Sequence, residues 1–137
     1  MIGRFVDTNL FIRYLTGAPP FQAAAAREVF ARIERGDERA WSTAVAIAEV
    51  VWVLTGPFYR FERAAIRDTL QPLLSLEGLV ILEKAAISKA LDTWPRIRID
   101  YIDAYHAELA LETGLPEVYS FDHDFDRIPG VVRIEPA

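Results

Sequence analysis

Hydrophobic and polar positions change period several times along the chain, and each change marks an element. Ile2 to Val6 is a short β-type run that ends in Asp7-Thr8-Asn9. Thr8 or Asn9 can cap the helix that follows through Phe11, Ile12 and Leu15, and Gly17 with Pro19-Pro20 stops it. Phe21 to Arg35 is alanine-rich and helical, closed by Gly36. Arg39-Ala40-Trp41 reads as a short strand, after which Ser42-Thr43 supply caps for a helix from Ala44 to Leu54, ended by Gly56-Pro57. Further on come a helix from Glu62 to Leu76, a buried strand from Leu79 to Leu82, and a helix from Ala85 to Thr93 ahead of Trp94-Pro95. The last elements are a helix from Asp100 to Thr113 with Gly114 at its end, and strands at Val118 to Phe121 and Val131 to Glu135. Strands alternating with helices predict an α/β fold with a mainly parallel sheet. No repeat or linker-like stretch interrupts the pattern, so one domain over residues 1–137 is expected.

Composition narrows the class. Of 137 residues, 52% are hydrophobic, with three Trp, eight Phe and five Tyr, enough for one core and incompatible with a disordered chain. The absence of cysteine excludes a disulfide framework and a thiolate metal site. No stretch approaches the ~20 apolar residues of a membrane helix. No basic segment leading into an apolar run opens the sequence, so a cytoplasmic protein without a leader is the expectation. A net charge of −5 argues against a generic nucleic-acid binder, because neutralising phosphates requires positive charge. The basic residues are nearly all arginine, the better bidentate phosphate partner, with Lys84 and Lys89 the exceptions.

Candidate chemistry begins with Glu49. The helix from Ala44 to Leu54 is apolar on every face, which predicts burial nearly all round and places Glu49 at least partly in the interior. A carboxylate there is neutralised by an arginine or ligates a cation, and the residues alone leave both readings open. Asp7 follows the first strand and Asp122 follows the run Val118-Tyr119-Ser120-Phe121. Both therefore sit where α/β sheets build their sites, beyond the carboxyl ends of strands. Should those strands be neighbours, the two carboxylates face each other; singly, Asp7 also reads as a helix cap and Asp122 as a turn residue. Asp103 lies in the first turn of its helix, with Ala107 and Ala110 along the same face, while Asp100 reads as that helix's cap. Clustered carboxylates repel one another unless a cation binds, and oxygen-only ligands select Mg²⁺ or Mn²⁺ over Zn²⁺. Such ions support hydrolysis of a phosphodiester.

These motifs resemble a known family. Asp7-Thr8-Asn9 after the first strand, Glu49 in an apolar helix, Asp103-Ala104 opening a helix, and Ser120-Phe121-Asp122-His123-Asp124-Phe125 are similar to the PIN domain. The likeness is strongest to VapC-type toxins, the ribonuclease halves of bacterial toxin–antitoxin pairs, and it extends to the ending Asp126-Arg127-Ile128-Pro129-Gly130-Val131-Val132 with Pro136 beyond. The resemblance implies a three-layer α/β fold with a five-stranded, mainly parallel sheet between helices. It implies an acidic quartet, Asp7, Glu49, Asp103 and Asp122, binding Mg²⁺ or Mn²⁺, with Asp124 assisting through water and Ser120 standing where many members have threonine. Thr8, Asn9 and Ser120 would position ligands by hydrogen bonding. The implied activity is endoribonuclease cleavage of an RNA substrate, and the implied partners are a VapB-like antitoxin and a second copy in a homodimer. The rival reading is a catalytically silent PIN-like module that acts only by binding an antitoxin, against which the complete quartet argues.

Two other Mg²⁺-binding α/β classes fit poorly. A response-regulator receiver needs paired acids after its first strand and a lysine after its last, and a haloacid-dehalogenase phosphatase needs an aspartate where Asn9 stands. His106 reads as a polar edge residue and His123 as a solvated loop residue. Among the aromatics Trp41, Trp52, Phe58, Tyr59 and Phe61, core and dimer packing outweighs a base-stacking role, most of all for Trp41 and Trp52. Arg13, Arg60, Arg63 and Arg67 read as solvated helix arginines before they read as RNA or antitoxin contacts.

Overall fold

A computed structural model describes residues 3–137. It divides into two compact units, one ending at Lys84 and one spanning Ala85–Ala137, and each is described by itself. In the first unit, β1 (Arg4–Phe5), β2 (Ala40–Ser42) and β3 (Leu79–Ile81) form a parallel sheet in that order, with Phe5 opposite Trp41 and Trp41 opposite Val80. Ile2, expected at the start of β1, lies outside the described residues. Gly3 carries φ +99°, and a Cβ there would come within 1.9 Å of the Arg39 carbonyl oxygen, so only glycine lets the chain enter the sheet at this point.

Parallel strands need crossovers, and helices supply them. Between β1 and β2 run α1 (Thr8–Thr16) and α2 (Pro20–Arg35). α2 buries Ala23, Ala26, Phe30 and Ile33, a helical-period stripe, and Phe30 meets Phe11 of α1 at 5.5 Å between ring centroids. Between β2 and β3 run α3 (Ala44–Thr55) and α4 (Arg63–Leu74). Ile66, Leu70, Leu73 and Leu74 of α4 join Ile47, Val50 and Leu54 of α3 in the core.

α3 corrects one expectation. It buries only the face of Ala46, Ile47, Val50, Val51 and Leu54, while Val45 is 78% exposed and Trp52 76%. Glu49 lies between them in sequence and is exposed as well. Composition placed apolar residues all round this helix, but burial depends on a covering element, and that face is left exposed among the described residues. Trp52 is accordingly no core residue, whereas Trp41 is half-buried against Phe5 at 4.8 Å.

The second unit holds α5 (Lys84–Ile97, begun at the unit boundary), α6 (Tyr101–Glu112), β4 (Glu117–Tyr119), a short 3-10 helix (His123–Arg127) and β5 (Val132–Ile134), with β4 and β5 parallel. α5 runs through Trp94-Pro95 where the sequence predicted it to stop. An internal proline costs a helix ~3 kcal/mol. Burying Trp94 (2% exposed), which packs edge-on to Tyr101 at 5.9 Å, contributes about as much, since truncating a buried tryptophan costs ~3–5 kcal/mol. The class is therefore α/β, with helices flanking parallel strands. Among the described residues those strands form ladders of three and two rather than one five-stranded sheet. Among the described residues β1 pairs with β2, and β4 with β5.

Candidate metal centre

Asp7 stands immediately beyond β1 and caps α1, the cap reading its own position allowed, rather than Thr8 or Asn9: its Oδ1 accepts a hydrogen bond from Leu10 N at 3.2 Å. That contact uses one carboxylate oxygen and leaves the other for a ligand. The chain is pinned just before it by Ser42, which is buried and donates to the Val6 carbonyl at 2.8 Å, so the start of α3 is left to Thr43, whose hydroxyl accepts from Ala46 N at 3.0 Å. Asp7, Thr8, Asn9, Ile12 and Arg13 line one wall of a cleft of about 320 Å³, and Glu49, Val53 and Tyr59 line the other. The first unit thus brings together four of the predicted residues, Asp7, Thr8, Asn9 and Glu49. Arg13 is held at the wall by donating from Nε to Gln22 at 2.7 Å.

The second unit gathers a carboxylate trio. Asp103, from the first turn of α6, meets Asp122 and Asp124, with one oxygen of each within 4.8 Å of the others. Asp122 sits at the turn after β4 and caps the 3-10 helix: its Oδ1 accepts from Asp124 N, and its own N donates to Ser120 Oγ, both at 2.9 Å. Ser120 therefore positions the backbone of an acidic residue, while Asp124, expected to assist through water, lies beside Asp103 and Asp122 in the trio. Asp124 also lies 3.6 Å from Arg127. Burial pushes the Asp103 carboxyl above the ordinary carboxylate value, and the charges of Asp122, Asp100 and Asp124 push it further, with only His106 opposing. Asp100 holds the cap position of α6 without a side-chain hydrogen bond to it. His106 is exposed beside Tyr105, and His123 is tied to Asp126 and Arg133, each at 3.1 Å, so it is not a merely solvated loop residue.

Crowded carboxylates on two backbone segments, with burial holding one of them, form an all-oxygen donor set that suits a hard divalent cation. The PIN domain family matches residues 4–131. The chain belongs to the PIN domain family. PIN domains are generally nucleases that bind divalent metals, and the trio Asp103, Asp122 and Asp124 is where the donor chemistry of this PIN domain fits such an ion. No curated protein matches the chain. Among the described residues of this PIN domain, no helix is long and apolar enough to cross a membrane.

Two residues of this PIN domain were missed in the sequence. Ser42 had the signal of a polar residue between apolar ones at a strand end, and was read as a cap. Arg133 had none, being one of fifteen Lys and Arg residues, in a short terminal strand.

Proposed function

We propose that this PIN domain is an Mg²⁺-dependent endoribonuclease, the toxin of a VapBC-type pair, with Asp7, Glu49, Asp103 and Asp122 as its catalytic and metal-binding carboxylates. The observation that carries the reading is the trio of Asp103, Asp122 and Asp124, with one oxygen of each within 4.8 Å of the others, an all-oxygen donor set of the kind that holds a hard divalent cation. Mg²⁺ bound by these carboxylates would lower the pKa of a coordinated water and offset charge developing on a phosphate. The chain's own residues do the rest. Asp103, Asp122 and Asp124 provide the oxygens; Asp7, with one oxygen held by the α1 cap, offers the other to a ligand. Glu49, exposed on its cleft, would complete the acidic set and orient or deprotonate the attacking water as the leaving oxygen departs. Thr8 and Asn9 supply hydrogen bonds on the opposite wall, and Arg13 a positive charge for the RNA backbone.

The reading includes a second copy of the chain and a VapB-like antitoxin as partners. Its support is the apolar surface of Val45, Trp52 and Phe58, between 76% and 86% exposed, of the kind that protein partners cover. The deciding experiment is cleavage of total cellular RNA by purified protein free of antitoxin, in Mg²⁺ or Mn²⁺, in EDTA, and with Asp7→Asn. Discrete fragments that disappear with EDTA and with the variant are expected. Equal background in every arm from folded protein would leave the catalytically silent module as the better account.

A further inference from the structure

Asp122 and Asp124 sit on a loop, and what holds that loop lies on another strand. Arg133 of β5 donates from Nη1 to the Ser120 carbonyl and from Nε to Asp126 Oδ1, and its Nη2 meets His123 Nδ1, all at 3.1 Å. The same Nη1 reaches Glu135 at 3.4 Å. The guanidinium thereby spans the segment from residue 120 to residue 126, touching it before Asp122, between Asp122 and Asp124, and after Asp124. Only 12% of the Arg133 side chain is exposed, and β5 is anchored to the loop's entrance by Ser120 N donating to the Ile134 carbonyl at 3.1 Å. Arginine is all donor, so the contact with His123 is a hydrogen bond that the ring accepts at Nδ1.

We propose that Arg133 is a positioning residue of the metal centre, a three-point clamp that holds Asp122 and Asp124 against Asp103. The proposal rests on the metal reading of that trio. Three carboxylates this close repel, so in the absence of a cation the loop is pushed outward, and a rigid planar fork opposes that better than a flexible point charge. Arg133 is not there to neutralise the trio. Its charge is spent on Asp126 and Glu135, and the hydrogen bond from Arg133 is the main reason the Asp126 carboxyl is held below the ordinary range.

The sign of one measurement separates position from charge. Deleting a cation near an acidic site should tighten metal binding if only charge matters, and weaken it if geometry is lost. Mn²⁺ binding to the full chain is measured by titration calorimetry for wild type, Arg133→Met, Arg133→Lys and Asp122→Asn, with thermal unfolding alongside. The expected result is a dissociation constant raised about tenfold or more in both Arg133 variants, the range seen when partners behind metal ligands are removed. Lysine keeps the charge but not the fork, so it should not rescue binding, and it carries the test if Arg133→Met fails to fold. Equal or tighter binding by Arg133→Met, or wild-type binding by Arg133→Lys, overturns the clamp. Were wild type and Asp122→Asn to bind Mn²⁺ alike, the metal reading itself would fall and the clamp with it, an outcome recognisable without any Arg133 variant.

Discussion

Replacing Asp103 by asparagine should make the metal-free protein more stable while removing its response to metal. Two carboxylates of the trio lie within 4.8 Å of Asp103. At that distance a pair of unit charges repels by about 0.9 kcal/mol in a water-like dielectric, so two neighbours cost about 1.7 kcal/mol. Against this, an acid in the first turn of α6 gains roughly 0.5 kcal/mol from the helix dipole, which asparagine forfeits. The balance leaves about 1 kcal/mol in favour of Asp103→Asn, or ~3–5 °C in melting temperature for a chain of this size. Metal reverses the order. At a hundredfold excess over its dissociation constant, Mn²⁺ would stabilise wild type by ~2.7 kcal/mol, and the variant by much less. The assay is thermal unfolding followed by circular dichroism, in EDTA and in Mn²⁺. A variant that melts below wild type in EDTA, or that gains as much from Mn²⁺ as wild type does, would refute the view of the trio as a strained cation site.

The pH dependence follows with a definite sign. Burial and neighbouring acids raise the Asp103 carboxyl above its ordinary 3.8, so the native state binds that proton more tightly than the unfolded chain does. The penalty on wild type is therefore present at neutral pH, is relieved as pH falls through the raised native value, and is gone below the ordinary one. Asp126, held low by Arg133, behaves oppositely, losing its contribution as pH falls through its depressed value, and does so equally in both proteins. The stability advantage of Asp103→Asn in EDTA should shrink steadily on acidification, as read by urea unfolding across a pH series; a constant or growing advantage contradicts it. Asp7→Asn should abolish cleavage with little change in stability, because asparagine caps a helix as well as aspartate, whereas Asp7→Ala should lose ~1 kcal/mol besides activity. Denaturation midpoints compared with RNA cleavage check both. Tyr101→Phe should be neutral or stabilising by up to ~1 kcal/mol: the hydroxyl is buried with no hydrogen-bond partner among the described residues, and the ring's packing on Trp94 survives the change. A marked loss in urea unfolding would mean that the hydroxyl has a partner.

Much of this protein is legible in the chain because its signals are local. Period-two and period-3.6 patterns, with Gly17 and Gly36 in left-handed caps and Thr43 capping α3, place most helices and strands within a residue or two of where they lie. Acids directly after strands and at a helix start are local features too, and they nominated Asp7, Asp103 and Asp122. The sequence misjudged what depends on neighbours across the fold. Glu49 stands in a helix apolar on all sides, yet the side it occupies is exposed, because composition records what a residue is and not what covers it. α5 passes Pro95 because burying Trp94 offsets a lost backbone hydrogen bond. Strand pairing, in ladders of three and two, follows from hydrogen bonds between distant segments that no short pattern encodes.

The residues alone therefore determined the α/β class, the element order and an acid set chemically suited to a hard cation, since these follow from periodicity, capping and side-chain type over a few residues. Only the tertiary structure decided that Asp124 stands beside Asp103 and Asp122, that Ser42 pins the chain ahead of Asp7, and that Arg133 grips the acidic loop. Each of those depends on a contact between segments many positions apart, and the energy of such a contact exists only once the chain has brought its two ends together.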